Sequence, residues 1–146
     1  MRQNYKIGNF NSKFEGKYVI NYEDIIDNIE TKKFLVVDAR SEGRFAGTAP
    51  EPRKYLKSGN IPDSINIPYK SLLENGKFKS EQELHKIFSE QTDGQTDLVF
   101  SCGSGMTACI VMLASEMAFK NSKYLYDGSW TEYAELQNLR TDAPNS

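Results

Sequence analysis

Few side chains in this sequence have the reactivity to do covalent chemistry. They are Cys102, Cys109 and the single His85, with Arg44 and Arg53 as anion-binding groups in a long Gly- and Pro-rich stretch. Cys102 has the most telling surroundings. It follows the apolar run Leu98-Val99-Phe100 and opens Cys102-Gly103-Ser104-Gly105-Met106-Thr107, after which a helical pattern begins. A cysteine so placed lies at the C-terminal end of a strand, where α/β sheets put their ligands. Gly103 and Gly105 are expected to take positive φ and turn backbone N–H groups inward. The next helix adds its positive N-terminal end, which favours a thiolate over a thiol. The same N–H groups would then hold an anion attached to the sulfur, as suits a nucleophile that works through an anionic cysteine adduct.

The competing readings are weaker. A lone cysteine in apolar company is often a small buried hydrophobe, and Cys109, flanked by Ala108, Ile110 and Val111, is expected to be core packing. Cys102 and Cys109 do not make a Cys-x-x-Cys redox pair. A cysteine phosphatase needs Arg six positions after its nucleophile to clamp phosphate, and that position is Ala108. His85 reads as a helix-surface histidine. One histidine and two cysteines exclude a zinc site built mainly of imidazoles or of four thiolates.

The elements that must position Cys102 alternate between strand and helix. Tyr22, Ile25, Ile26 and Ile29 share a helical face, so 22–30 is expected to be a helix. Apolar 34–37 and 98–101 read as buried parallel strands, and 64–67 and 123–126 as two more. Ser80, with Glu83 three residues on, caps a helix over 80–90 whose face is Leu84, Ile87 and Phe88. Residues 107–119 form a helix apolar nearly all round, hence central. A closing helix over 129–139 is expected to bury Trp130, Tyr133, Ala134 and Leu136. The irregular connection over 43–59 is long enough to be functional. The fold class is therefore α/β: a parallel sheet of about five strands with helices on both faces. Residues 1–17 are polar and aromatic without a period. They read as an extended arm before a domain over 18–146, either a tail lying on the domain or an inter-domain linker.

Composition excludes other classes. The chain has 146 residues, one domain's length, and its 18 basic against 20 acidic residues give a net charge of −2. No basic excess marks a nucleic-acid binder. The apolar stretch over 102–119 is interrupted by Ser104, Thr107, Ser115 and Glu116 and is too short for a bilayer span. Met1 to Lys17 holds no apolar segment of a secretory signal. Two free thiols without such a signal fit a reducing compartment, most simply the cytosol, with an organelle such as the mitochondrion as the alternative.

Together these segments resemble a rhodanese-like sulfurtransferase domain. They are most similar to the C-terminal catalytic domain of 3-mercaptopyruvate and thiosulfate sulfurtransferases. The resemblance runs from about Tyr18 to Leu139. It rests on Val36-Val37-Asp38-Ala39-Arg40, Gly43-Arg44-Phe45, Gly47-Thr48, Pro50-Glu51-Pro52-Arg53, Gly59-Asn60-Ile61-Pro62, Asn66-Ile67-Pro68, Cys102 to Cys109, and Tyr126-Asp127-Gly128-Ser129-Trp130.

The resemblance implies that Cys102 takes sulfur from a donor as a persulfide. It then passes the sulfur to cyanide or to a thiol acceptor such as thioredoxin or a small thiol, with no cofactor. It implies 3-mercaptopyruvate as donor, because Gly103-Ser104-Gly105 stands where thiosulfate enzymes carry two cations. Arg44 and Arg53 would hold the donor's carboxylate and keto oxygen, with Gly103, Gly105, Met106 and Thr107 around it. Ser104 would be catalytic, completed by an Asp and a His from an N-terminal rhodanese domain; this chain would be the C-terminal half of such an enzyme. Arg40, Asp38 and Asp127 would be scaffold and Trp130 core. The family's usual His is replaced by Asn60, which is expected to alter a buried hydrogen bond. Met106, where Val is commoner, is expected to narrow or soften the loop wall.

Overall fold

In the computed structural model, which describes residues 6–141, seven strands and five helices follow a 3₁₀ turn at Gly16–Tyr18. They run β1 (Val19–Ile20), α1 (Tyr22–Thr31), β2 (Phe34–Asp38), α2 (Glu42–Phe45), β3 (Ile65–Asn66), β4 (Leu73–Glu74), β5 (Lys77–Phe78), α3 (Glu81–Ser89), β6 (Asp97–Ser101), α4 (Met106–Ala118), β7 (Lys123–Tyr126) and α5 (Ser129–Leu136). Five of the strands form a parallel sheet in the order β1-β7-β6-β2-β3.

The helices begin where the sequence supplies caps. At α1 the Asn21 side chain accepts from Asp24 N–H at 3.0 Å, and Asp24 accepts in return from Asn21 N–H. At α3 Ser80 and Glu83 make the same reciprocal pair, as their spacing predicts. Asn28 ties α1 to the sheet, donating to Phe34 O at 2.9 Å and accepting from Phe34 N–H at 3.0 Å.

The sheet is covered on both sides. Val37, Leu98, Phe100 and Cys102 pack with Leu84 and Phe88 of α3 and with Ala108, Val111 and Ala114 of α4. On the opposite face Val36, Val99 and Tyr126 pack with Ile25 of α1 and with Trp130, Tyr133 and Ala134 of α5. These runs are apolar without alternation because each strand is buried on both faces.

Four expectations are corrected. Helix α4 is not apolar all round in its surroundings. It buries Ala108, Val111, Ala114 and Ser115, but Met106, Cys109, Leu113 and Met117 are exposed. Cys109 is therefore not core packing: Ala108 faces the sheet, and the next residue turns about 100° round the helix toward solvent. Leu136, at the end of α5, is 58% exposed. The connection after β2 is not wholly irregular, because α2 opens it, Gly43 O accepts from Thr48 and Ala49 N–H, and Gly59 N–H donates to Arg44 O.

Of the expected arm over 1–17, residues 6–15 are exposed and carry no helix or strand, and 1–5 lie outside the described residues. No helix among the described residues is long and apolar enough to cross a membrane. No group of three His, Cys, Asp or Glu among them is placed to hold a metal ion.

Candidate active site

Strand β6 carries Cys102 to the carboxyl edge of the sheet, where the side chain is free and 2% exposed. Its position is set from the far end of the chain, by the first turn of α5. Cys102 N–H donates to Ser129 Oγ at 3.0 Å, and the same hydroxyl donates to Tyr126 O at 2.9 Å. Cys102 O accepts from Trp130 N–H at 2.9 Å. Gly103 O accepts twice from Thr131, from the backbone N–H at 3.1 Å and from Oγ1 at 2.6 Å. The carbonyls of Cys102 and Gly103 are thus consumed by α5. The N–H groups of Gly103, Ser104 and Gly105 find no acceptor among the described residues. Donors left open beside a thiol suit an anion.

The two glycines serve different purposes. Gly105 takes φ +83° and is buried against Asp127; a Cβ there would lie 2.8 Å from Asp127 Oδ1 and 2.9 Å from Asp127 O. Gly103 does not take positive φ, contrary to expectation. It is glycine for close approach, since its Cβ would lie 2.8 Å from Arg44 Nη2.

That contact puts one guanidinium at the loop. Arg44, on α2, donates from Nε to Glu51 Oε1 at 3.1 Å and from Nη2 to Glu51 Oε2 at 2.5 Å. Glu51, whose side chain is 4% exposed, also accepts from Arg40 Nη1 at 2.7 Å. Arg40 is fully buried: it pairs with Asp38 at the end of β2, donates to Gly59 O and stacks over Trp130. Burial pushes the Asp38 carboxyl above its ordinary value, against the pull of Arg40. Asp38 and Arg40 are scaffold, as expected.

Arg53 reaches the site from the same connection. It is exposed and donates from Nη1 to Thr131 Oγ1 at 2.8 Å, the hydroxyl that also holds Gly103 O.

Arg44, Glu51, Pro52, Arg53, Cys102, Gly103, Ser104, Met106 and Thr107 line one pocket of about 280 Å³. The structure thus brings together all but one of the expected site residues. The exception is Gly105, which is absent from the pocket wall and instead packs on Asp127. Ser104 is exposed, and its hydroxyl has no hydrogen bond among the described residues. Met106 lines the pocket at its rim, 79% exposed. A larger hollow of about 430 Å³ lies by Asn28, Lys32, Phe34 and Asp93 and holds neither thiol nor guanidinium, so chemistry rather than size picks out the site.

His85 is not on the pocket wall. Its ring packs on Phe119 at 4.7 Å and Nδ1 faces Ser89 Oγ. Asn60 is exposed and donates to Phe45 O at 3.1 Å, so the hydrogen bond expected there is not a buried one.

Sequence reasoning missed Glu51, Ser129 and Thr131. A signal existed for the last two: polar residues flanking Trp130 directly after a strand and Asp127-Gly128 mark a helix start beside the sheet edge.

The model of the rhodanese-like domain matches residues 21–136. The chain belongs to this family. It is 43% identical over 126 residues to mouse 3-mercaptopyruvate sulfurtransferase, a match covering 85% of this chain and 42% of that one. It is 41% identical over 115 residues to rat thiosulfate sulfurtransferase, covering 77% and 39%. Among solved structures, the Tum1 protein of Saccharomyces cerevisiae superposes with a TM-score of 0.76 at 35% identity, covering 84% of this chain and 45% of that one. SseA of Escherichia coli, described among 3-mercaptopyruvate sulfotransferases, gives 0.67 at 31% identity, covering 84% and 46%. The rhodanese-like chain spans less than half the length of these relatives.

Proposed function

We propose that this domain is a sulfurtransferase that takes sulfur from 3-mercaptopyruvate through a persulfide on Cys102. The observation that supports it is the pocket itself: one buried thiol, open backbone N–H groups and two guanidinium groups, with no cation in the loop after the nucleophile. Two forks that bind planar oxygens suit a carboxylate next to a ketone. The relatives named for 3-mercaptopyruvate and for thiosulfate agree with a sulfur donor of this size.

The Cys102 thiolate attacks the donor sulfur, the S–S bond forms, and the donor's C–S bond breaks. The electron pair goes to carbon as an enolate, held at its oxygens by Arg44 and Arg53, and protonation releases pyruvate. Ser104 Oγ, which lines the same pocket, would relay to that carbon the proton that the donor thiol gives up. An acceptor thiolate, from a small thiol or a thioredoxin-like protein, then attacks the outer sulfur and restores Cys102. Cyanide serves the same role. A second rhodanese domain, of the size the longer relatives have room for, would complete the Ser104 side of the pocket. A soluble reducing compartment, cytosol or mitochondrion, suits the thiol chemistry.

The thiosulfate reading is the alternative, supported by the similarity to thiosulfate sulfurtransferase. Intact mass after incubation with each donor separates the two. A reducible gain of one sulfur on Cys102 with 3-mercaptopyruvate is expected. A gain with thiosulfate alone reverses the donor assignment. A gain with neither points to a further domain that the chemistry requires, or to a domain that only receives sulfur from another protein.

A further inference from the structure

Arg44 is a long, partly exposed side chain, yet it must present a planar fork to a small anion beside Cys102. Its side chain is 24% exposed, so packing covers most of its length but does not by itself set which edge of the guanidinium plane faces the pocket. What fixes it is Glu51. Of the five N–H donors of a guanidinium, Nε–H and one Nη2–H go to the two oxygens of Glu51. That occupies one edge of the plane. The other edge, Nη1 with the second Nη2–H, is left for a ligand, and Nη2 stands next to Gly103.

Glu51 is itself immobile. It is 7% exposed, and Oε1 also accepts from Nη1 of Arg40, whose Nε and Nη2 donors are spent on Asp38 and Gly59 O. Alternating charges, Asp38, Arg40, Glu51 and Arg44, thus run from the end of β2 to the pocket wall.

We infer that Glu51 is a positioning residue for the donor anion. It acts through Arg44, locking the guanidinium so that its Nη1/Nη2 edge faces the Cys102 pocket. The inference rests on the reading above that Arg44 meets the donor's anionic group. A loosely held clamp loses the geometry that makes attack productive, and a misplacement of about 1 Å costs on the order of 100-fold in rate.

The variant Glu51→Gln tests it. The amide fills the same volume and Arg40 keeps Asp38 and Gly59, but an NH₂ now faces a guanidinium N–H and the tether on Arg44 is lost. The charge change alone makes the pocket more positive and favours anions; loss of positioning does the reverse. The readout is the ratio of iodoacetate to iodoacetamide alkylation rates at Cys102, followed on its peptide by mass, in wild type, Glu51→Gln, Arg44→Ala and the double variant. Positioning predicts that Glu51→Gln lowers the ratio about tenfold or more, and that it has no further effect once Arg44 is alanine. A ratio that holds or rises in Glu51→Gln, or that falls equally in the Arg44→Ala background, overturns it. If Glu51→Gln does not fold, Glu51→Asp, which shortens the tether but keeps the charge, must lower the same ratio. This readout needs no sulfur donor, so a wild-type protein inert to 3-mercaptopyruvate would sink the donor reading and leave the Glu51 result standing.

Discussion

The hydroxyl of Ser129 accepts the backbone N–H of Cys102 at 3.0 Å, across 27 residues of sequence, and donates its own O–H to Tyr126 O. Ser129 is fully buried and sits at φ +54°, a backbone region costly for any residue but glycine, asparagine or aspartate. The chain accepts that cost where a short polar side chain links the ends of β6 and β7 at the nucleophile. Ser129→Ala leaves a buried N–H and a buried carbonyl unpaired. Denaturant unfolding is expected to show a loss of about 1–3 kcal/mol, and persulfide formation on Cys102 should slow as the loop loosens. Unchanged stability would mean that water or backbone shifts replace the hydroxyl.

The two loop glycines should respond to alanine in opposite ways. Gly103→Ala puts a methyl against Arg44 Nη2, the end of a side chain that can move, so uptake of donor sulfur should fall while stability stays within about 1 kcal/mol. Gly105→Ala meets the Asp127 backbone at positive φ, where neither side can give. It is expected to lower stability by about 1–3 kcal/mol. Thermal melts alongside mass-detected sulfur uptake read both effects. If both variants lose stability equally, the division of roles is wrong.

Cys102→Ser keeps the fold, because oxygen fits the buried space of sulfur, and removes sulfur transfer altogether. Arg44→Ala and Arg53→Ala should each raise the donor KM, with the larger effect at Arg44, which is held by Glu51 at two points, than at Arg53, which is exposed and tied to Thr131 by one bond among the described residues. Steady-state kinetics with 3-mercaptopyruvate check the order. The paired change Gly103→Arg with Ser104→Lys should shift preference toward thiosulfate, at the expense of displacing Arg44.

Cys109 is exposed yet its thiol is harder to ionise than usual. Partial burial of the sulfur is the main cause, with Cys102 and Asp127 nearby adding to it. Only the thiolate reacts with iodoacetamide, so a raised pKa moves its labelling profile to higher pH than that of a free thiol. Labelling of Cys102→Ser between about pH 7 and 10 isolates Cys109. A profile on the acid side of a free cysteine would contradict the environment described.

Much of this was legible because local signals agreed with the fold. Asn21 with Asp24 and Ser80 with Glu83 start their helices through bonds three residues long. The unbroken apolar runs at Val36-Val37 and Leu98-Val99-Phe100 needed burial on both faces, which an α/β sheet supplies. The Asn75-Gly76 pair, both at positive φ, marks the turn of the β4–β5 hairpin and was a readable signal left unread. Strand β1 was not readable, because two residues carry no period; only pairing with β7 defines it.

The sequence alone determined the strand, the cysteine and the loop that follows it, because a strand, a cysteine and two glycines before a helix are adjacent in the chain and act over a few bonds. It also determined that Arg44 and Arg53 belong together, through motifs shared with a family. Only the tertiary structure decided what holds them. Glu51 is sandwiched between two arginines, Thr131 is shared by Arg53 and Gly103, and Ser129 is bonded to Cys102. It also turned Cys109 outward. The physical reason is the same in each case: a hydrogen bond or a buried face between elements depends on how the helices pack on the sheet, and no spacing within one segment encodes that.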